Sequence, residues 1–240
     1  MSLVPEALIT TRRSSRFGAI WDGVAAVSPL LLGVVPFGLI FGVAAAASVV
    51  GGGLGYATSI VIFGGAAQLA TIELFNAGAA GLVIVATGLV INSRHLMYSA
   101  ALAPAFSEFP RRWRLSLPYL LTDQAFAVSI VRFEEERDPR YRRLFFLGGG
   151  GALWITWQLT TGTGVLFGRV IPATWSLDFP IPLVFLALLI PTLKDRPALL
   201  AAIVGGVVAV IASGAPYHSG LMIGALSGVV AGVIAERAAR

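Results

Sequence analysis

The chain has 240 residues, of which 57% are hydrophobic and 12% charged, and it has no cysteine. So much apolar sequence exceeds what one soluble core needs, and the missing thiols exclude disulfides, thiolate metal sites and cysteine nucleophiles. The net charge of +5 sits largely in short arginine-bearing connections between apolar runs, a pattern that orients membrane proteins rather than one that binds nucleic acid. Residues 1–20 read as a polar cytoplasmic leader carrying Arg12, Arg13 and Arg16, which puts the N-terminus inside. Residues 21–235 then form a single transmembrane domain, and 236–240 a cytoplasmic tail with Arg237 and Arg240. No acid, lysine or arginine interrupts Val24–Ile72 or Pro197–Ala235, and each stretch is long enough for two crossings of about 20 residues.

The first apolar unit, Val24–Val50, contains Pro29, Pro36, Gly38 and Gly42. A proline lacks the backbone donor and frees the carbonyl four residues earlier, so the pattern predicts a kinked or interrupted helix. The alternative is a plain kinked helix that packs through Gly38 and Gly42. After Gly51–Gly55 a second span is expected over Tyr56–Ala77. Gly64, Gln68, Thr71 and Phe75 share one of its faces, and Gln68 is either glue between helices or a ligand contact. Glu73 is expected to reach the headgroups.

A third span, Ala79–Ala103, carries the segment LVINSRHLMYSAALAP, where Asn92, Arg94, His95 and Tyr98 interrupt apolar sequence. Arginine at a membrane-helix centre costs about 2.5 to 3.5 kcal/mol, so it is expected to face protein or a wet cavity and to have a partner. Asn92, His95 and Ser99 fall on one side, Arg94 and Tyr98 on the other. The alternative has Arg94 snorkelling to the interface and His95 serving structure. Leu115–Val131, with Pro118 and Asp123, is a marginal span or a re-entrant element, and Arg94 is the expected partner of Asp123. Arg132–Arg143 reads as a solvated connection turning at Asp138-Pro139.

In the second half Trp154, Trp157, Gln158 and Thr161 share a helix face that suits either a binding wall or an interfacial aromatic belt. Leu183–Leu193 is a short span, and Lys194 to Arg196 mark a membrane edge. Pro197–Ala235 is a hairpin whose Gly220, Gly224 and Gly228 allow close packing. The fold class is an all-α polytopic membrane bundle of about seven or eight crossings with proline- and glycine-interrupted helices. A cryptic inverted repeat is open.

PFGLIFGVAAAA, VIFGGAAQLATIEL, VINSRHLMYSAALAP, LLTDQAF and WQLTTGTGVLFG occur in this order. Together, from about Trp21 to Gly232, they resemble the AzlC family, the large subunits of bacterial branched-chain amino acid exporters. Ser93 stands where members commonly have leucine. The resemblance implies a multi-pass protein of the cytoplasmic membrane that exports leucine, isoleucine and valine. It also implies a small AzlD-type partner subunit and no enzymatic activity. No nucleotide-binding motif or cofactor is expected.

On that footing Arg94, or backbone N–H groups near Pro36, Phe37 and Gly38, would take a substrate carboxylate. Asp123 would hold the ammonium or, with His95, carry the coupling proton. Gln68, Asn92 and Gln158 would orient the substrate, and Phe37, Trp154 and Trp157 would wall it. The rival readings are a lipid-modifying intramembrane enzyme using His95 and Asp123, which lacks the H-E-x-x-H and G-x-S-x-G patterns, and a passive channel.

Overall fold

The computed structural model describes residues 16–168, 193, 195–215 and 219–238, and every regular element among them is helical. The described chain divides into two compact units. The first draws on Met1–Leu30 and Ser99–Leu153, the second on Leu31–Tyr98 and Trp154–Arg240. Arg12, Arg13, residues 183–192 of the short span, Lys194 and Arg240 lie outside the described residues.

Helix α1 (Arg16–Ala47) is continuous through both prolines, so the interruption expected there is absent. Ser28 Oγ donates to Ala25 O at 2.9 Å, which answers the carbonyl that Pro29 leaves without its usual donor. The small residues of α1 serve close packing against α8 (Pro139–Gly168). In the first unit Gly23 meets the Phe145 and Gly149 backbone, and Gly148 meets Ile20. In the second, Gly42 meets Thr161 O, Gly164 meets Leu39 O, and Gly38 abuts the Thr160 side chain. Any Cβ at these places would collide with neighbouring atoms.

A division falls in the next span instead. Tyr56–Ala77 is not one helix but two, α2 (Gly52–Val61) and α3 (Gly65–Asn76). Between them Phe63 has φ 44°, a left-handed conformation outside glycine, which costs of order 1 kcal/mol or more and persists only where the surroundings enforce it. The far end of α3 closes regularly. Gly78, at φ 71°, donates to Phe75 O and Ala79 to Leu74 O, the double bond of a Schellman cap. Asn76 Oδ1 accepts the Val49 N–H at 3.1 Å and ties this end to the α1–α2 connection.

The third span is α4 (Gly81–Asn92) and α5 (Arg94–Ser107), which turn at Ser93. Ser93 Oγ donates to Val90 O at 2.7 Å, a local bond of the kind that bends helices. Leu115–Val131 is also divided, into α6 (Arg111–Ser116), a 3-10 turn (Leu117–Leu120) and α7 (Asp123–Glu135). Asp123 is therefore not at the middle of a span but in the first helical turn, after the N-cap Thr122, whose Oγ1 accepts from Ala125 N. An acid is favoured there by the helix dipole.

In the second unit α4 contacts α3 and α10 (Gly220–Ala238), and α10 packs on α9 (Arg196–Ile211). The expected glycine face does this work. Gly224 sits over Gly205 O, Gly228 over Ala201 O, and Gly220 over Ala212. Four described helical stretches are long and apolar enough to cross a bilayer: Phe17–Ala47, Gly81–Ser107, Arg196–Gly214 and Gly220–Ala238. Helix α8 has 30 residues, about 45 Å of rise, but its glycines and its Trp, Gln and Thr face dilute its hydropathy. Of the further crossings expected, Tyr56–Ala77 and Leu115–Val131 are divided into shorter helices.

The polar stretch Arg132–Arg143 is an organised joint rather than a loose connection. Its only non-helical residues are Glu136–Asp138, and Asp138 Oδ1 caps α8 by accepting the Arg140 N–H at 2.9 Å, with Pro139 as first residue. Tyr141 donates to Asp22 Oδ2 at 2.6 Å and accepts from Arg132 Nη2 at 2.8 Å. Arg132 pairs with Glu135 at 3.1 Å, and Arg142 with Glu108 at 3.7 Å while donating to the Phe133 carbonyl. Burial, then the bond to Asp22, holds the Tyr141 pKa above its ordinary value, and the bond to Tyr141 raises that of Arg132.

A candidate binding site at a divided helix

Dividing a helix inside apolar sequence leaves carbonyls at the end of one piece and N–H groups at the start of the next without intrahelical partners. In the second unit Gln68, fully buried, spans this gap. Its Oε1 accepts the Gly64 N–H at 3.2 Å, and its Nε2 donates to Thr58 Oγ1 at 2.8 Å and Ser59 Oγ at 3.1 Å. One side chain thus caps α3 and holds the last turns of α2. Gln158 on α8 reaches the same place, where its Nε2 donates to Ser59 O at 3.0 Å.

The wall beside the gap is aromatic. A Cβ on Gly65 would lie 2.7 Å from Trp157 Cη2 and 2.9 Å from Phe37 Cε1. Trp157 meets Phe37 edge-on at 5.5 Å and stacks on Phe41 at 5.7 Å between centroids, geometries favoured by aromatic quadrupoles. Asn92, the last residue of α4, closes another side. Its Oδ1 would stand 3.1 Å from a Cβ on Gly64.

Several buried polar atoms of this unit have no hydrogen-bond partner: Asn92 Oδ1, Gln158 Oε1, Trp157 Nε1, Thr87 Oγ1 and Thr161 Oγ1. A buried group left so costs about 1 to 3 kcal/mol. Native cores satisfy nearly all such groups, and three of these atoms, Asn92 Oδ1, Gln158 Oε1 and Trp157 Nε1, belong to residues around the gap.

Phe37, Gln68, Asn92, Trp157 and Gln158 therefore surround one gap. Trp154 is partly buried on α8 one turn before Trp157. Pro36 is exposed, and Gly38 is occupied in packing against Thr160. Because α1 stays helical there, it offers no loosened N–H groups, and the donors lie at the start of α3. Arg94 opens α5 and is partly buried. His95 Nδ1 bonds Asn92 O at 3.1 Å and its ring meets Tyr98 edge-on at 5.8 Å, a contact between the two polar sets that helical spacing assigns to different sides. Asp123 belongs to the first unit. Thr58, Ser59, Gly64, Gly65 and Phe41 were not foreseen as parts of this place. The signal for them was present in the Gly64-Gly65 pair followed by Gln68, a helix start with a polar side chain able to reach back over it.

A family model described as AzlC protein matches residues 29–171. An uncharacterized membrane protein of Archaeoglobus fulgidus is 31% identical over 195 residues, which cover 75% of this chain and 78% of the relative. No solved structure matches.

Proposed function

The chain belongs to the AzlC family, and from that premise we propose that it is the large subunit of a secondary exporter of branched-chain and related neutral amino acids in the cytoplasmic membrane. A small AzlD-like membrane subunit completes it, and the proton gradient drives it. The observation that carries this reading is the divided α2–α3 helix, with its neutral amides on one side and the Phe37, Phe41 and Trp157 rings on another. Discontinuous helices of this kind are how secondary transporters place helix poles and released backbone groups around a solute at membrane depth. An aliphatic side chain fits the aromatic wall, and a polar head fits the amides.

Asp123 is the residue assigned to carry the coupling proton, with His95 as its second candidate. Arg94, which opens α5, is the side-chain candidate for the substrate carboxylate. The reading is tested by efflux of preloaded labelled leucine from cells that express the chain with or without the small subunit, before and after the proton gradient is collapsed. Uphill export that requires both supports it. Flux that only follows the leucine gradient favours a channel, and absence of leucine flux removes the substrate assignment.

A further inference from the structure

We propose that the α2–α3 gap binds the head group of an amino acid as an intact zwitterion, through helix poles and neutral amides and without an ionised side chain. The carboxylate lies on the first-turn N–H groups of α3, at Gly65, Ala66 and Ala67, and the ammonium on the side-chain oxygens of Gln158 and Asn92. The proposal rests on the transporter reading and specifies what that site recognises.

Three observations meet here. Helix α3 has 12 residues and begins at the gap after Gly64, so its first turn presents N–H groups and the positive end of its dipole. Gln68 takes up the Gly64 N–H and leaves the following ones for a guest. Gln158 is 6% exposed, and its Oε1 lacks a partner although its Nε2 is engaged by Ser59 O. That bond fixes the amide orientation, since exchanging N and O would set two carbonyl oxygens against each other. Ser59 is also bonded by Gln68, which places the Gln158 amide in the same polar cluster as the helix gap. Asn92 Oδ1, packed over Gly64, is a second unpaired acceptor.

The cluster of Thr58, Ser59, Gln68, Asn92 and Gln158 is neutral. A lone ammonium or lone carboxylate would bring a net charge that none of these five side chains matches, which burial penalises heavily. A zwitterion brings none, and its two ends match a donor pole and an acceptor pair. The Phe37 and Trp157 rings against Gly65 leave its side chain an apolar neighbour.

The test uses the full chain, with its small subunit where flux requires it, reconstituted in proteoliposomes. Labelled leucine exchange is challenged with leucine, with 3-methylbutylamine, which lacks the carboxylate, and with 4-methyl-2-oxopentanoate, which lacks the ammonium. We expect both analogues to inhibit at least about 100-fold more weakly than leucine, as for sites whose buried polar groups are left unpaired by an analogue. Gln158→Glu, nearly isosteric, is expected to lower the discrimination against the amine by about tenfold or more, because it introduces the missing counter-charge. Gln158→Leu is expected to raise KM for leucine more than it lowers kcat, with size-exclusion profiles of both variants confirming folded protein.

Equal inhibition by either analogue overturns the proposal, as does a discrimination unmoved in Gln158→Glu but lost in Arg94→Gln. If wild-type chain moves no leucine, the exporter reading fails separately. The head-group inference is then read from thermal protection of the detergent-purified chain by glycine, alanine and leucine against their matching amines and acids. Protection by zwitterions alone supports it, and protection by amines or acids alone, or by none, overturns it.

Discussion

The joint around Tyr141 in the first unit and the α2–α3 gap in the second are both polar concentrations in a largely apolar chain, and they solve the problem in opposite ways. Around Tyr141 the groups are ionised or bonded to ions, and Asp22, Tyr141, Arg132 and Glu135 form one chain of bonds, with the neighbouring Arg143 Nε buried and unbonded. Around the gap the groups are neutral, and several buried atoms keep unused bonding capacity. A chain of mutually bonded ions gives rigidity, while neutral buried groups with spare acceptors call for a further partner.

The sharpest way to break this comparison is Gln68→Leu. It removes three hydrogen bonds at once, each worth about 1 kcal/mol net, so it should lower stability by about 3 kcal/mol and abolish leucine export in whatever protein still folds. Thermal unfolding in detergent and efflux check the two effects. Next in size, Asp123→Asn should abolish gradient-driven export while leaving exchange measurable, because the neutral amide cannot cycle a proton; unchanged uphill export removes Asp123 from coupling.

Tyr141→Phe, which loses the bonds to Asp22 and from Arg132, should cost about 1 to 2 kcal/mol. It should leave KM for leucine unchanged, and a tenfold KM change would erase the distinction between the two regions. The smallest effect is alkaline. Since burial and the Asp22 bond raise the Tyr141 pKa, the folded state keeps a proton that the unfolded state loses above about pH 10. The stability that Tyr141 contributes is complete below that value and declines as pH climbs towards the raised one. Unfolding temperatures of wild type against Tyr141→Phe should converge over that range.

The membrane class, the helical content and the glycine seam of α9 and α10 were legible because each depends on composition or on a local period. The α2–α3 gap was not, because proline is the stronger punctuation in a sequence. In α1 the bond lost at Pro29 is answered by Ser28, and close packing of Gly38 and Gly42 on α8 keeps the helix whole. The gap at Phe63 and Gly64 is bonded by Gln68 and Gln158 from two helices, with Asn92 of a third set against Gly64, a tertiary cause that no local pattern carries. Gln68, Asn92, Trp157 and Gln158 could each be singled out as polar or aromatic exceptions in apolar runs. That they meet, while Pro36 turns away, required the packing.

Solute seated at the start of α3 would shield a side chain placed there. Because the chain contains no cysteine, Ala66→Cys introduces a single thiol there, and its rate of modification by a small membrane-permeant reagent reads occupancy directly. Saturating leucine is expected to slow this labelling at least about tenfold, with half-protection at the KM of transport, while a thiol placed by Ser107→Cys in the first unit is unaffected. Labelling of Ala66→Cys that proceeds equally fast with and without leucine, in protein that still exports it, would contradict the account.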